Sequence, residues 1–109
     1  METVPKVIKR HGRGVLRDGA NVYDGEWVED VMSGHGRMDY ASGASYEGEW
    51  VDNKYQGVGK YTWADNTFYE GEFLNNKMHG EGAYVDSRGV KWQGKFYNGS
   101  GPGLIQNAN

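Results

Sequence analysis

The sequence predicts an all-β chain, an elongated, twisted, single-layer antiparallel β-meander of about nine strands. Three observations predict it. A motif recurs at a spacing of 23 residues, opening on Tyr23, Tyr46, Tyr69 and Trp92. Within each unit, aromatic and glycine positions alternate with polar ones, which is the period of a strand. The apolar content is also unusual: Leu, Ile, Val and Phe make up only 18 of 109 residues, beside 18 Gly, 8 Tyr and 4 Trp. So low an aliphatic share falls under the ~20% mark usual for disordered chains. The formal charge of only −3 and the many aromatics argue against a solvated coil. A fold that sets aromatic rings over glycine resolves the conflict.

Residues 1–7 read as a basic N-terminal tail. A half repeat follows over 8–22, in which His11-Gly12-Arg13-Gly14 resembles His35-Gly36-Arg37-Met38 and Asp18-Gly19 is a two-residue turn. Three full repeats occupy 23–45, 46–68 and 69–91, with the segments Y-D-G-E-W, Y-E-G-E-W and Y-E-G-E-F at their heads. A partial repeat, 92–105, opens on W-Q-G-K-F, and 106–109 read as a C-terminal tail.

Turn chemistry falls at fixed offsets. Glu29-Asp30, Asp52-Asn53, Asn75-Asn76 and Asn98-Gly99 stand where a two-residue type I′ hairpin loop needs φ > 0 at both positions. Glu29-Asp30 is the poorest fit. Ala41-Ser42-Gly43, Ala64-Asp65-Asn66 and Ser87-Arg88-Gly89 read as three-residue loops ending in a left-handed residue. Loop lengths then set a register. Tyr23 faces Gly36, Tyr46 faces Gly59 and Tyr69 faces Gly82. Across the next strand pair Trp50 faces Gly34, Phe73 faces Gly57 and Phe96 faces Gly80. Each glycine would let a ring lie flat on the backbone.

The motif Y-x-G-x-(W/F), a short turn and G-x-G, repeated over residues 9–105, resembles the MORN repeat family. The departures are Trp92 for Tyr, Ile105 for the second Gly and the short first hairpin. They sit at the ends, where terminal repeats cap a stack. The resemblance implies the twisted single-layer sheet of that family. It also implies a small repeat protein in a cytoskeletal, ciliary or sperm-type assembly, and it carries the family's standing idea of phosphoinositide binding.

Alternation gives the sheet two faces. The aromatic face has no second layer to cover it, and exposed aromatic surface marks interaction sites. Tyr23, Tyr46 and Tyr69 are expected to hold the sheet together. Trp27, Trp50, Tyr61, Trp63, Phe73 and Tyr84 are expected to line a groove for an extended or helical partner segment. The other face carries Asp24, Glu26, Glu47, Glu49, Glu70 and Glu72 interleaved with Arg37, Lys60 and Lys95. An acidic ladder for a basic partner or Ca²⁺ is one reading. A solvated face with cross-strand pairs such as Glu49 with Lys60 is the favoured one.

Catalysis finds no support. There is no nucleophile elbow, no H-E-x-x-H and no P-loop, and Gly57-Val58-Gly59-Lys60-Tyr61 lies in mid-strand without the Ser/Thr that a phosphate loop carries. His11, His35 and His79 stand in different units and are expected to pack or cap backbone groups, so neither a metal nor another cofactor is expected. With Cys 0 there is no disulfide frame or thiolate site.

Charge is divided along the chain. Residues 1–17 set Lys6, Lys9, Arg10, Arg13 and Arg17 against Glu2 alone, and the remainder is strongly acidic, which disfavours nucleic acid as a partner. Lys6, Lys9 and Arg10 form the alternative site, a weak contact with acidic phospholipid. Arg10 has a competing reading, stacked on Trp27. No apolar run approaches a membrane span and METVPKVIKR lacks the apolar core of a secretory signal, so a cytoplasmic protein is expected. The leading expectation is a non-catalytic protein–protein interaction module, an adaptor or scaffold subunit, whose sheet edges also allow pairing with a second copy.

Overall fold

The computed structural model describes residues 10–99 and 105–107. Among these described residues, nine strands follow one another across a single antiparallel sheet in chain order. They are β1 (Gly12–Asp18), β2 (Asn21–Val28), β3 (Val31–Asp39), β4 (Ser45–Val51), β5 (Lys54–Thr62), β6 (Phe68–Leu74), β7 (Lys77–Val85), β8 (Lys91–Phe96) and β9 (Ile105–Asn107). β9 runs across the expected boundary between sheet and C-terminal tail. Among the described residues there is no helix.

The loops take the conformations their side chains favour. Asp52-Asn53 has φ of 50° and 66°, Asn75-Asn76 49° and 69°, and Asn98-Gly99 52° and 86°. Even Glu29-Asp30 adopts the turn, at 46° and 69°. Context holds it there: the Asp30 N–H donates to the Arg10 carbonyl at 2.9 Å and the Glu29 N–H donates to His11 Nδ1 at 3.2 Å. The later turns are tied back in the same way, with Asn53, Asn76 and Gly99 N–H donating to the Met32, Tyr55 and Met78 carbonyls. The three-residue loops end on Gly43, Asn66 and Gly89, all at positive φ. The first hairpin differs from expectation. Asp18 pairs with Asn21, so the turn is Gly19-Ala20. Glycine accepts the positive φ of the first turn position (60° at Gly19), which moves the turn one residue on.

The inter-repeat register stands as expected, with Gly34 opposite Trp50, Gly57 opposite Phe73 and Gly80 opposite Phe96. The register within each repeat does not. Near the turn Trp27 pairs with Met32, but Tyr23 pairs with Met38 and Gly25 with Gly36. Three residues of β3, centred on Gly34, therefore bulge out opposite Glu26 alone. The same irregularity recurs between Gly48 and Trp50, and between Gly71 and Phe73. Counting from the turn missed it because that count assumes an unbroken ladder.

The repeated glutamate explains the bulge. Gly34, Gly57 and Gly80 sit at φ of 101°, 74° and 88°, where a side chain is strained. A Cβ at Gly57 would lie within 3.0 Å of the Glu49 carboxylate. Glu26 Oε2 accepts the His35 N–H, and Glu72 Oε2 accepts the Glu81 N–H at 2.5 Å. Glu26 and Glu72 are exposed on the solvated face, as expected, and also bond the backbone of the bulge. The expected Glu49–Lys60 pair does not form: Lys60 lies opposite Glu47 and its ammonium sits over the Phe68 ring, 4.2 Å from the centroid.

Rings do settle on glycine, by a diagonal route. Gly25, Gly48 and Gly71 pair with Gly36, Gly59 and Gly82, and those with the Gly48, Gly71 and Gly94 of the next hairpin, so one line of glycine crosses the sheet. The Tyr46 ring lies so close over Gly59 that a Cβ there would overlap its Cζ at 2.5 Å. Tyr23, Tyr46 and Tyr69 donate from their hydroxyls to the Glu26, Glu49 and Glu72 carbonyls at 2.9, 2.8 and 2.7 Å. Burial pushes the Tyr23 and Tyr69 phenols up to about 12 and raises Tyr46 further.

Candidate functional site

The aromatic face is built in two tiers. The lower tier is a run of edge-to-face contacts, Trp27–Tyr23–Trp50–Tyr46–Phe73–Tyr69–Phe96, with centroids 4.6–5.2 Å apart. Such pairs add about 0.5–1.5 kcal/mol each beyond area burial. Trp27 and Trp50 also donate from Nε1 to the Gly14 and Gly36 carbonyls. Trp27, Trp50 and Phe73 are only 3%, 2% and 5% exposed. Three of the six residues expected to line the groove thus belong to the core. The alternation rule assigned them the right face but could not show that neighbouring repeats cover one another.

The upper tier is half-buried: Met32, Met38, Tyr40, Tyr61, Trp63, Met78 and Tyr84 pack on the lower rings. Tyr40, Tyr61, Trp63 and Tyr84 follow each other at 6.5, 5.0 and 5.6 Å between centroids. Tyr55 stacks flat on Tyr46 at 3.9 Å and shares a hydroxyl hydrogen bond with Tyr40. Burial raises the Tyr40 phenol to about 12, with the Tyr61 hydroxyl adding to the effect.

Two cups open in this tier. One, of about 280 Å³, is lined by Met32, Met38, Tyr40, Trp50, Asn53 and Tyr55. The other, of about 380 Å³, is lined by Tyr55, Tyr61, Trp63, Phe73, Asn76 and Met78. Tyr40 and Lys77 also line the second cup, and each of its other residues stands 23 positions after a counterpart in the first. Tyr55 is both the far wall of one and the near wall of the other. Trp50 and Phe73 are therefore cup floors, and Tyr61 and Trp63 are walls. Tyr84 packs against Trp63 beyond the second cup, and Trp27 lies away from both. Asn53 and Asn76 were missed as site residues because their turn role accounted for them. In each, Oδ1 accepts a strand N–H, from Met32 at 2.7 Å and from Tyr55 at 2.9 Å. The row ends at Asp86, which stands 23 residues after Trp63. It accepts from Trp92 Nε1 at 3.0 Å, and that bond, with Arg88 beside it, holds its carboxyl well below the usual range.

The opposite face is polar and open. Arg37 pairs with Asp39 at 3.1 Å and with Glu47 at 3.7 Å, and Arg13 with Asp24 at 3.5 Å. All of these side chains are at least half exposed, so each pair contributes about 0–1 kcal/mol. His11 and His79 accept backbone N–H groups and His35 lies beside Glu47. No group of three or more potential metal ligands occurs among the described residues.

Of the alternative lipid site, Lys6 and Lys9 lie outside the described residues. Arg10 is engaged: its guanidinium stacks 4.1 Å from the Trp27 ring centroid and pairs with Asp30. No helix among the described residues is long and apolar enough to cross a membrane.

A comparison with curated proteins returns no match. A family model described as MORN repeat matches residues 9–20, 23–45, 46–68 and 69–91. Those segments cover well over half of the chain and coincide with the hairpins that carry the tyrosine, the bulge glutamate and the cup walls, so the chain belongs to the MORN repeat family.

Proposed function

We propose that this protein is a non-catalytic protein–protein interaction module, an adaptor or structural subunit, that holds a partner segment in the two tandem cups of its aromatic face. MORN repeats are non-catalytic modules generally associated with protein or membrane interaction. The observation that carries the protein reading is the pair of cups, repeated at the sequence period and walled by half-buried Tyr, Trp and Met, the side chains that dominate binding hot spots and adaptable surfaces. A cytoskeletal or ciliary assembly in the cytoplasm is the setting that the resemblance to small MORN-repeat proteins suggests. Among the described residues β1 is an edge strand with Val15 and Leu16 exposed, which supports pairing between copies as a further contact of the same module. The lipid alternative gains nothing from Arg10, whose charge is committed to Asp30.

Crosslinking of the full chain in native extract, followed by mass spectrometry, tests the reading. A partner whose crosslinks cluster on the cups and vanish in Trp63→Ala, with an unchanged circular dichroism spectrum, is the expected result. Crosslinks indifferent to Trp63→Ala, or cosedimentation with acidic vesicles lost on neutralising Lys6, Lys9 and Arg10, would overturn it.

A further inference from the structure

The two cups repeat in space as well as in sequence. Their counterparts stand two strands apart, which is ~9.6 Å at the usual strand spacing. A ligand lying across the strands must present equivalent groups at that interval to use both. An extended β-strand repeats a face every ~6.7 Å, so its next matching residue falls at ~13 Å. An α-helix advances 5.4 Å per turn and is about 10–12 Å wide. A polyproline II helix advances ~9.3 Å in its three-residue turn, within a few tenths of an ångström of the cup interval.

The polar groups repeat with the same step. Asn53 and Asn76 each commit Oδ1 to a strand N–H, which leaves the Nδ2 donors at the cup margins. Polyproline II makes no internal hydrogen bonds, so its carbonyls are available as acceptors at every third residue. Flat pyrrolidine rings suit aromatic walls, and this is how proline-rich segments dock elsewhere.

We propose that the cups bind a proline-rich segment of a partner protein in the polyproline II conformation, with one proline of each turn seated per cup. The inference rests on the reading of the aromatic face as a peptide groove. Asp86, at the position where a third wall would stand, closes the row, so the seated length is two turns.

Fluorescence polarisation with the full chain tests it. The probe is a labelled peptide with proline at every third residue. Comparators are the same composition with proline at every fourth residue, and an amphipathic helical peptide. The expected result is that the every-third peptide binds at least about tenfold more tightly than either comparator. Trp63→Ala should abolish that preference, and Asn76→Ala should weaken it, with the fold intact by circular dichroism. Equal binding of the every-fourth peptide, or binding indifferent to Trp63→Ala, overturns the proposal. A helical peptide that binds best and depends on Trp63 overturns it while leaving the groove reading in place. No Trp63-dependent binding by any of the three peptides, together with dimers in sedimentation that protect Tyr61 and Trp63, overturns both.

Discussion

The repeat opening at Tyr46 and the one opening at Trp92 begin with the same pattern and are stabilised by different means. Tyr46 lies flat on Gly59, donates its hydroxyl to the Glu49 carbonyl and is fully buried. Trp92 is half-buried and donates instead to the Asp86 carboxylate, which Arg88 also holds. The difference shows that the tyrosine position depends on its successor. It needs the glycine of its own hairpin beneath it and the ring of the next repeat, Phe73 at 5.1 Å, against its edge. At the end of the array an indole reaches a charged partner in its own repeat junction. Interior repeats are stabilised by burial, and the final one by a charge-assisted hydrogen bond.

Truncation separates the two most sharply. Tyr46→Ala should cost about 3–5 kcal/mol, because it leaves a ring-sized hole in the spine. Trp92→Ala should cost less than half as much. Urea denaturation of both variants checks this, and equal losses would break the distinction. A second contrast uses glycines of similar backbone geometry. Gly57 (φ 74°) has the Glu49 carboxylate against it, whereas a Cβ at Gly99 (φ 86°) meets nothing within 4 Å. Gly57→Ala should cost about 2–4 kcal/mol, and Gly99→Ala only the backbone strain of ~1–2 kcal/mol.

The two regions should also yield at opposite ends of the pH scale. Folded-state phenol values of about 12 at Tyr23 and Tyr69 lie above the unfolded value of 10.0. Their contribution is complete below pH 10 and is lost as pH rises toward 12. Asp86 is shifted downward, so its contribution is present above ~4 and lost as pH falls below that. Far-ultraviolet circular dichroism should report the alkaline loss in the interior. Amide exchange in β8 should report the acid loss, and Trp92→Phe should remove it. The smallest effect concerns the turns. Replacing Glu29-Asp30 with Asn-Gly should stabilise by about 0.4–1 kcal/mol in a thermal melt, because that pair accepts the left-handed turn without strain.

Much of this was legible before the structure. The spacing of Tyr23, Tyr46, Tyr69 and Trp92 defines the hairpins, and Asn-Asn, Asp-Asn and Asn-Gly mark turns that all take positive φ. The Arg10–Trp27 stack was also anticipated, although the residue paired with Trp27 is Gly12. What escaped were effects that involve two strands at once. A bulge at Gly34 is invisible to turn counting, since glycine opposite glutamate signals nothing until the backbone brings them together. The sealing of Trp27, Trp50 and Phe73 escaped for a related reason. Residue alternation assigns a side to a ring, but whether the side is covered depends on contacts between repeats. Of the expected groove residues, Tyr61 and Trp63 line a cup wall, and Trp50 and Phe73 lie beneath.

Strand order has a mechanical consequence. Among the described residues each strand bonds only to its predecessor and successor, and β1 and β9 lie at opposite edges of the sheet. Tension applied between those edges would pull along the interstrand hydrogen bonds and load them a few at a time, so the ribbon would peel open hairpin by hairpin at low force. It would lengthen in steps and re-zip on release, because every junction closes on its immediate neighbour in the chain.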